Sequence, residues 1–267
     1  MFLSIITINR NNADGLKRTI NSVALQTYRD FEHIIIDGAS TDNSIDIIKE
    51  YVASFAGKNV SYWVSEPDSG IYNAMNKGIK KAKGDYCLFL NSGDSLYTSE
   101  VIQKVIPFSK QGKPFICGKL KFDTGKIVSI DRELNIYTFY HFFIPHQSIF
   151  IQRKLFDIYG LYDESLTIIS DHVFFYITMV KNHIEYINVD EIISLYDTKG
   201  ISTTASDKSY QEYEAYFEKE LPADLYKILN ENLILKEQFK AFKSSITYKL
   251  ISFFSKPIFY INQKLHK

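Results

Sequence analysis

A chain of 267 residues, 45% hydrophobic and 23% charged, holds enough apolar material for one large core or a core with an appendage. Lysine plus arginine equals aspartate plus glutamate at 31 each, which excludes the basic surplus expected of a nucleic-acid-binding protein. No apolar run reaches the roughly 20 residues of a membrane span. The opening "MFLSIITINRNN" lacks the basic start and cleavage-like site of a secretory leader, so the chain is expected in the cytoplasm.

Taken in order, "FLSIITI" reads as a strand, and the segment around 12–26 carries Leu16, Ile20 and Val23 on one helical face. "EHIIID" is the next strand, followed by a helix with Ile45, Ile48, Val52 and Phe55 in register. "VSYWV" precedes a helix with Ile71, Met75 and Ile79 at helical spacing, and "DYCLFLN" precedes a helix over about 99–106. Four strand–helix units in series predict an α/β fold, with a parallel sheet and helices on both faces. In such sheets ligands bind beyond the carboxyl ends of the strands. The loops there read "TINRNN", "DGASTDNS", "SEPDSG" and "NSGDS", and three of the four contain aspartate. Helix capping explains Asp42 or Asn43 before "SIDIIKEY" but does not require acids in three converging loops, so a site is expected there.

Farther along, "FICGKLKFDTGKIVSI" reads as a hairpin turning at Asp123-Thr124-Gly125. "HFFIPHQSIFIQRKLF" and "GLYDESLTIISDHVFFYITMV" form a second polar knot that places Asp171 at the start of a buried helix. "HIEYINV" makes another strand. Cys87 and Cys117 sit in apolar runs far from any metal-type spacing and read as buried reduced thiols. From about 203 the pattern is helical, first acidic, then basic and aromatic. Lys236 onward carries seven lysines against Glu237, a net +6, interleaved with Phe and Tyr, a composition suited to an anionic bilayer surface or to a packed helix with a solvated lysine face.

The segments "SIITINRNN", "SVALQTYRDFEHIIIDGASTDNS", "SEPDSGIYNAMNKGIKKAKGDYCLFLNSGD", "IPHQSIFIQRKLFDIYGLYDESL" and "ISDHVFFYITM" cover roughly residues 3–180 in order. Together they resemble the inverting family 2 glycosyltransferases, and within them the subgroup that builds O-antigen, capsule or other exopolysaccharide units. That resemblance implies the GT-A fold, with 1–203 as the catalytic domain (1–106 the nucleotide-binding half, 107–203 the acceptor-side half) and 204–267 as a helical extension. It also implies transfer of a sugar from a nucleotide-sugar donor, most simply a UDP-sugar, to a saccharide acceptor, expected to be linked to a polyprenyl diphosphate. The tail over 236–267 would then keep the enzyme at the inner face of the membrane.

The resemblance assigns Asp94 to a divalent cation, Mn2+ or Mg2+, which neutralises the departing diphosphate. Gly93 stands where relatives often carry a second acid that binds ribose, so Asn91 is expected to compensate. Asp37 is matched to the nucleotide base, whose imide N–H a carboxylate accepts, with Thr7 and Asn9 beneath it, and Asp68 to the base or ribose. Asp171 matches the base that deprotonates the acceptor, although Ser170 replaces the acid many relatives carry before it. His146, in "PHQS", is expected at the metal or diphosphate, with Gln147 and Arg153 as weaker candidates for phosphate or acceptor contact. His172 should face away from Asp171; Ser40 and Asp42 should hold their loop, and Asn73 or Asn76 should brace the site. Lys77 and Lys80 read as solvated helix residues. Two rivals stand beside this reading: a nucleotidyltransferase, which would want a glycine-rich basic loop where "TINRNNADG" stands, and a catalytically silent nucleotide-sugar-binding scaffold. A Rossmann-type oxidoreductase is excluded because no G-x-G-x-x-G follows the first strand.

Overall fold

The structure is a computed structural model that describes residues 1–130, 133–198 and 206–244. The boundary read at 203/204 and residues 245–267 of the tail lie outside them. Two compact units are present, Met1–Tyr213 and Glu214–Lys267.

The four strands read from the first half are β1 (Leu3–Asn9), β2 (Phe31–Asp37), β3 (Val60–Ser65) and β4 (Tyr86–Phe89). Between them run α1 (Ala13–Ala24), α2 (Ser44–Ala53) and α3 (Ile71–Lys81). Next come β5 (Ser95–Leu96), α4 (Val101–Ser109), β6 (Phe115–Phe122), β7 (Ile127–Val128) and α5 (Ile136–Tyr140). They are followed by β8 (Ile149–Gln152), α6 (Lys154–Tyr159), α7 (Ser170–Phe175) and β9 (Tyr186–Tyr196). α8 (Ser206–Glu220) and α9 (Ala223–Ser244) close the described chain, and no described helix is long and apolar enough to cross a membrane.

All nine strands belong to one sheet in the order β3-β2-β1-β4-β8-β6-β9-β5, with β7 beside β6. β1 to β4 are mutually parallel. β8 then runs antiparallel between β4 and β6. This is the expected α/β sheet, mostly parallel, with β8 reversed in its middle where the sequence shows a polar knot and the short β5 and β7 reversed as well. "IFIQ" hides there because four residues are too few to display a period. β6 and β7 form the expected hairpin about Asp123–Lys126.

Every residue of β1 and β2 is buried, as strands covered on both faces require. Ile5 of β1 packs with Val23 of α1 and Val101, Ile102 and Val105 of α4. Leu16 and Ile20 of α1 meet Ile35 of β2 and Ile48 and Tyr51 of α2. Ile6 points to the other face, where α3 approaches so closely that a Cβ on Gly78 would lie 2.4 Å from Ile6 Cγ2.

Alanine outranks glycine in a helix by about 1 kcal/mol, while overpacking a fixed core costs about 1–3 kcal/mol. Ile6 is fully buried and stiff at χ1, so the packing term wins. Gly78→Ala is expected to destabilise the protein by up to about 2 kcal/mol net in urea unfolding, with the m-value unchanged; higher stability would show that α3 can lift off β1 freely.

Candidate active site

Parallel register lines up Asn9, Asp37 and Ser65 at the carboxyl edge of the sheet. Asp37, fully buried, is the hub of the loops that follow. Its Oδ1 accepts from Asn9 Nδ2 (2.7 Å) and Ser40 Oγ (2.6 Å), and its Oδ2 from Ser40 N (2.9 Å) and Ser65 Oγ (2.7 Å). Those four donors take its full acceptor capacity. Asn11 N donates to Ser40 Oγ, and Asp42 accepts from Ala13 N and Ser44 N, so Ser40 and Asp42 hold the loop as expected. Thr7 lies one step deeper, its hydroxyl 3.0 Å from Nε2 of His33, whose imidazole burial pushes down to about 3 and keeps neutral. Asp68 comes over the same cluster. Its carboxylate lies so close to Gly38 that a Cβ there would be 2.3 Å from Oδ2.

The fourth loop is pinned by α1. Thr19 Oγ1 donates to the Asp94 carbonyl (2.6 Å) and accepts from Gly93 N (3.0 Å), while Asn12 Nδ2 donates to the Ser92 carbonyl (3.0 Å). Asp94 is 4% exposed, and burial pushes its carboxyl up to about 6 against the opposing pull of the Asp197 N–H and His146. Asn91 Oδ1 and Asn9 Oδ1 are buried acceptors without a donor, and both belong to residues expected at the donor sugar nucleotide.

Across the cavity, His146 Nδ1 is 2.6 Å from Asp171 Oδ2. An ionised carboxylate only accepts, so Nδ1 carries a proton, while Nε2 lies 3.4 Å from Asn91 Nδ2. Tyr72 Oη, with one proton, lies 2.7 Å from Asp171 Oδ1 and 2.5 Å from the Ile168 carbonyl. Burial alone would raise the Asp171 carboxyl, but the His146 and Tyr72 contacts outweigh it and hold it below the usual carboxylate range. Burial also lifts the Tyr72 hydroxyl well above its ordinary value, aided by Asp171. His172 stacks between Phe139 and Phe143 and burial pushes it down to about 4; it turns from Asp171 as expected.

A cavity of about 550 Å3 has Asn91, His146, Asp171 and Tyr72 among its polar lining, and Phe122, Phe142, Tyr196 and Tyr213 among its aromatic lining. Among the described residues no three His, Cys, Asp or Glu side chains are grouped to hold a cation. Asp94, His146 and the donorless Asn91 Oδ1 are of the oxygen and imidazole types that a hard divalent ion takes.

The sequence profile described as "Glycosyl transferase family 2" matches residues 4–193. The chain belongs to this family. It is 33% identical over 209 residues to an uncharacterized glycosyltransferase of Mycobacterium tuberculosis, covering 75% of this chain and 77% of that one. It is 32% identical over 175 residues, 63% of this chain and 66% of the other, to a PGL/p-HBAD biosynthesis glycosyltransferase of Mycobacterium bovis. Staphylococcus aureus TarS 1-349 in complex with UDP-GlcNAc superposes with a TM-score of 0.65 at 17% identity, covering 86% of this chain and 70% of that one. The Pyrobaculum calidifontis mannosyltransferase PcManGT, in complex with GDP-Man and Mn2+, gives 0.64 at 14%, covering 85% and 68%. The fold of this glycosyltransferase is therefore GT-A.

Of the residues expected from sequence, the glycosyltransferase gathers Asn9, Asp37 and Asp68 at one side of the edge and Asn91, Asp94, His146 and Asp171 at the other. Asn73 and Asn76 both reach Glu164, tying α3 to the segment that leads into α7. Lys77 is no idle surface residue, since it pairs with Glu66 (2.8 Å) and the Pro67 carbonyl (2.9 Å) and holds the third loop. Arg153 is a correction: its Nε donates to the Gly84 carbonyl before β4 begins, at the amino end of that strand and so opposite the site.

Sequence reasoning missed Tyr72 and Glu212. Glu212 accepts from Thr167 N (2.5 Å), Ile168 N (2.8 Å) and Ile169 N (3.2 Å), the amides that lead into α7 and Asp171. No local pattern announces a contact across 43 to 45 residues. Removing this acceptor strands donors that are partly buried, at about 1–2 kcal/mol. Glu212→Ala is expected to lower the melting temperature and to reduce kcat with the donor KM nearly unchanged; a variant with wild-type kcat would show that α7 holds Asp171 in place unaided.

Proposed function

We propose that this enzyme is a metal-dependent inverting glycosyltransferase. It moves a sugar from a nucleotide-sugar, most simply a UDP-sugar, to a saccharide acceptor carried on a lipid, in the synthesis of a surface polysaccharide or glycolipid. The observation that carries the reading is the buried Tyr72–Asp171–His146 chain, set in a cavity that also exposes Asn91 beside the Asp94 turn. The names of the relatives and the nucleotide-sugars bound by the structural neighbours point the same way.

Each residue then has a task. The loops braced by Asp37 receive the nucleotide base, with Asp68 beside it. The Ser65 hydroxyl, a free rotor, yields its place on Asp37 Oδ2 to the imide N–H of the base, and Thr7 and Asn9 support the strand beneath. Asp94, His146 and Asn91 face the diphosphate. Those three residues would hold a divalent cation, Mn2+ or Mg2+, whose charge would offset that of the leaving diphosphate. The Nδ1–H of His146 is fixed by Asp171, and such a hydrogen bond orients the imidazole toward the diphosphate side. Asp171, kept ionised, takes the proton of the acceptor hydroxyl, and attack from the face opposite the diphosphate inverts the anomeric carbon. The aromatic walls suit a sugar ring, and Lys126 supplies a cation for an acceptor phosphate.

Asp171→Asn preserves shape and removes the base, so transfer should fall by about 10²–10⁴-fold while calorimetric binding of the nucleotide-sugar stays within a few-fold of wild type. Full activity in that variant would refute the base assignment. No slow hydrolysis or transfer from any donor in a panel of nucleotide-sugars with Mn2+ would favour the silent scaffold instead.

The basic aromatic residues of 236–267 are proposed to hold the enzyme at an anionic bilayer, where a lipid-linked acceptor resides. Truncation before residue 236 should abolish co-sedimentation with phosphatidylglycerol-rich vesicles at low salt. Unchanged sedimentation would assign that segment to protein packing.

A further inference from the structure

The cavity of about 550 Å3 has two unlike ends. Among the described residues that line it, the carboxylate and amide side chains are Asp171, Asn91 and Gln147, and all three stand at or beside His146. His146, Gln147 and Asp171 are buried, so this is the closed, reacting end. The mouth is marked by the lining residues that solvent reaches, Lys126, Phe143 and Tyr210, the two rings being 48% and 49% exposed. They come from three separate stretches, the β6–β7 hairpin, the loop after α5, and α8. The walls between are apolar or aromatic, with Leu120, Phe122, Val128 and Ile168 among them.

We infer, on the reading of Asp171 as the base of a transfer to a lipid-borne saccharide, that the acceptor is a single sugar joined through phosphate to an apolar chain. This enzyme then adds the second sugar on the lipid. The volume is that of a pocket for one drug-sized ligand, room for about two hexose units, one transferred and one receiving. A saccharide hydroxyl withdrawn from water without a partner is costly, and past Asp171, Asn91 and Gln147 the walls offer no carboxylate or amide to a further sugar. An apolar chain, by contrast, gains by leaving water beside Phe143 and Tyr210. Lys126 carries the charge that meets a phosphate between sugar and chain. Each sugar added between the reacting hydroxyl and that phosphate would push the phosphate away from the lysine. In the transfer, the hydroxyl oxygen of the receiving sugar bonds to the anomeric carbon of the donor. The bond from that carbon to the diphosphate oxygen breaks with its electron pair on the oxygen, and the hydroxyl proton passes to Asp171. The reaction that supplies this acceptor is one that places a first sugar on a lipid phosphate.

The test uses the full-length protein, Mn2+ and the nucleotide-sugar that it hydrolyses fastest. Glucose, galactose and N-acetylglucosamine are each offered free, as octyl glycosides, as farnesyl diphosphate conjugates, and as the terminal sugar of trisaccharides on farnesyl diphosphate. For one farnesyl diphosphate monosaccharide, kcat/KM is expected to exceed that of the free sugar by at least about 100-fold, the factor that burying about four methylenes supplies. It should also exceed that of the matching trisaccharide conjugate by at least about tenfold. Lys126→Ala, at an exposed position, should cut the preference for the diphosphate conjugate over the octyl glycoside by about tenfold. Four results overturn the inference while leaving the protein a glycosyltransferase. They are equal or faster transfer to the trisaccharide conjugate, equal transfer to the free sugar, an unchanged preference in Lys126→Ala, and donor hydrolysis that no monosaccharide conjugate converts into transfer. A wild-type protein that neither hydrolyses nor transfers from any nucleotide-sugar would overturn the enzyme reading itself, and this inference with it.

Discussion

The contact between His146 Nδ1 and Asp171 Oδ2, 2.6 Å long and nearly sealed from solvent, is the constraint on which the acceptor side depends. It joins the turn that leads into β8 to the start of α7, 25 residues on. Removing one partner of such a buried pair costs about 3–5 kcal/mol, because the other is left charged or unsatisfied. Both ends are further committed, Asp171 to Tyr72 on α3 and His146 toward Asn91 beside the diphosphate turn. Four segments therefore share one geometry, and a shift in any of them is felt at Asp171.

The nucleotide side obeys a different rule. Its precision comes from parallel pairing, which sets Asn9, Asp37 and Ser65 abreast at the ends of three strands. A one-residue slip in any of these strands would turn its polar end residue to the other face of the sheet. The aspartate then converts that row into a rigid cluster by accepting from all three neighbouring loops.

Much of this was legible from the residues. The apolar runs of β1 and β2, the helical faces of α1 and α3 and the polar loops at their ends are plain in the sequence, but the face read for α2 is only partly right: Ile48 is buried, while Phe55 lies past the helix end and is 75% exposed. β8 and β5 escaped because segments of four and two residues carry no period, and their pairing is decided by neighbours. At the site, the motif residues Asn91, His146 and Asp171 lie along one cavity, whereas contacts made across the fold leave no trace in the sequence: Tyr72 is recognisable only once α3 is docked on α7, and Glu212 only once α8 reaches the amides of residues 167–169. "EPDSGIYNAMNKG" shows both cases. Its asparagines were visible as polar residues on a helix, but their common partner, Glu164, lies about 90 residues away.

The four aspartates of the site differ in how their charge is met, and that difference assigns their work. Asp37 is surrounded by amide and hydroxyl donors, one of them the rotatable Ser65 hydroxyl. Asp171 is answered by an imidazole N–H and faced by a phenol, so it stays ionised in a buried place and is positioned to take a proton. Asp68 is partly solvated and lies against the bare Gly38, where water screens it. Asp94 alone is buried with its ionised form disfavoured, its carboxyl pushed up to about 6 although a main-chain N–H and the Gln147 amide reach it. Its surroundings, an imidazole and an amide oxygen without a donor, leave that carboxyl with less compensation than Asp37 or Asp171 receives. The same reasoning explains why the positive charge of Arg18 is found close by, on Asp197, at the edge of the turn.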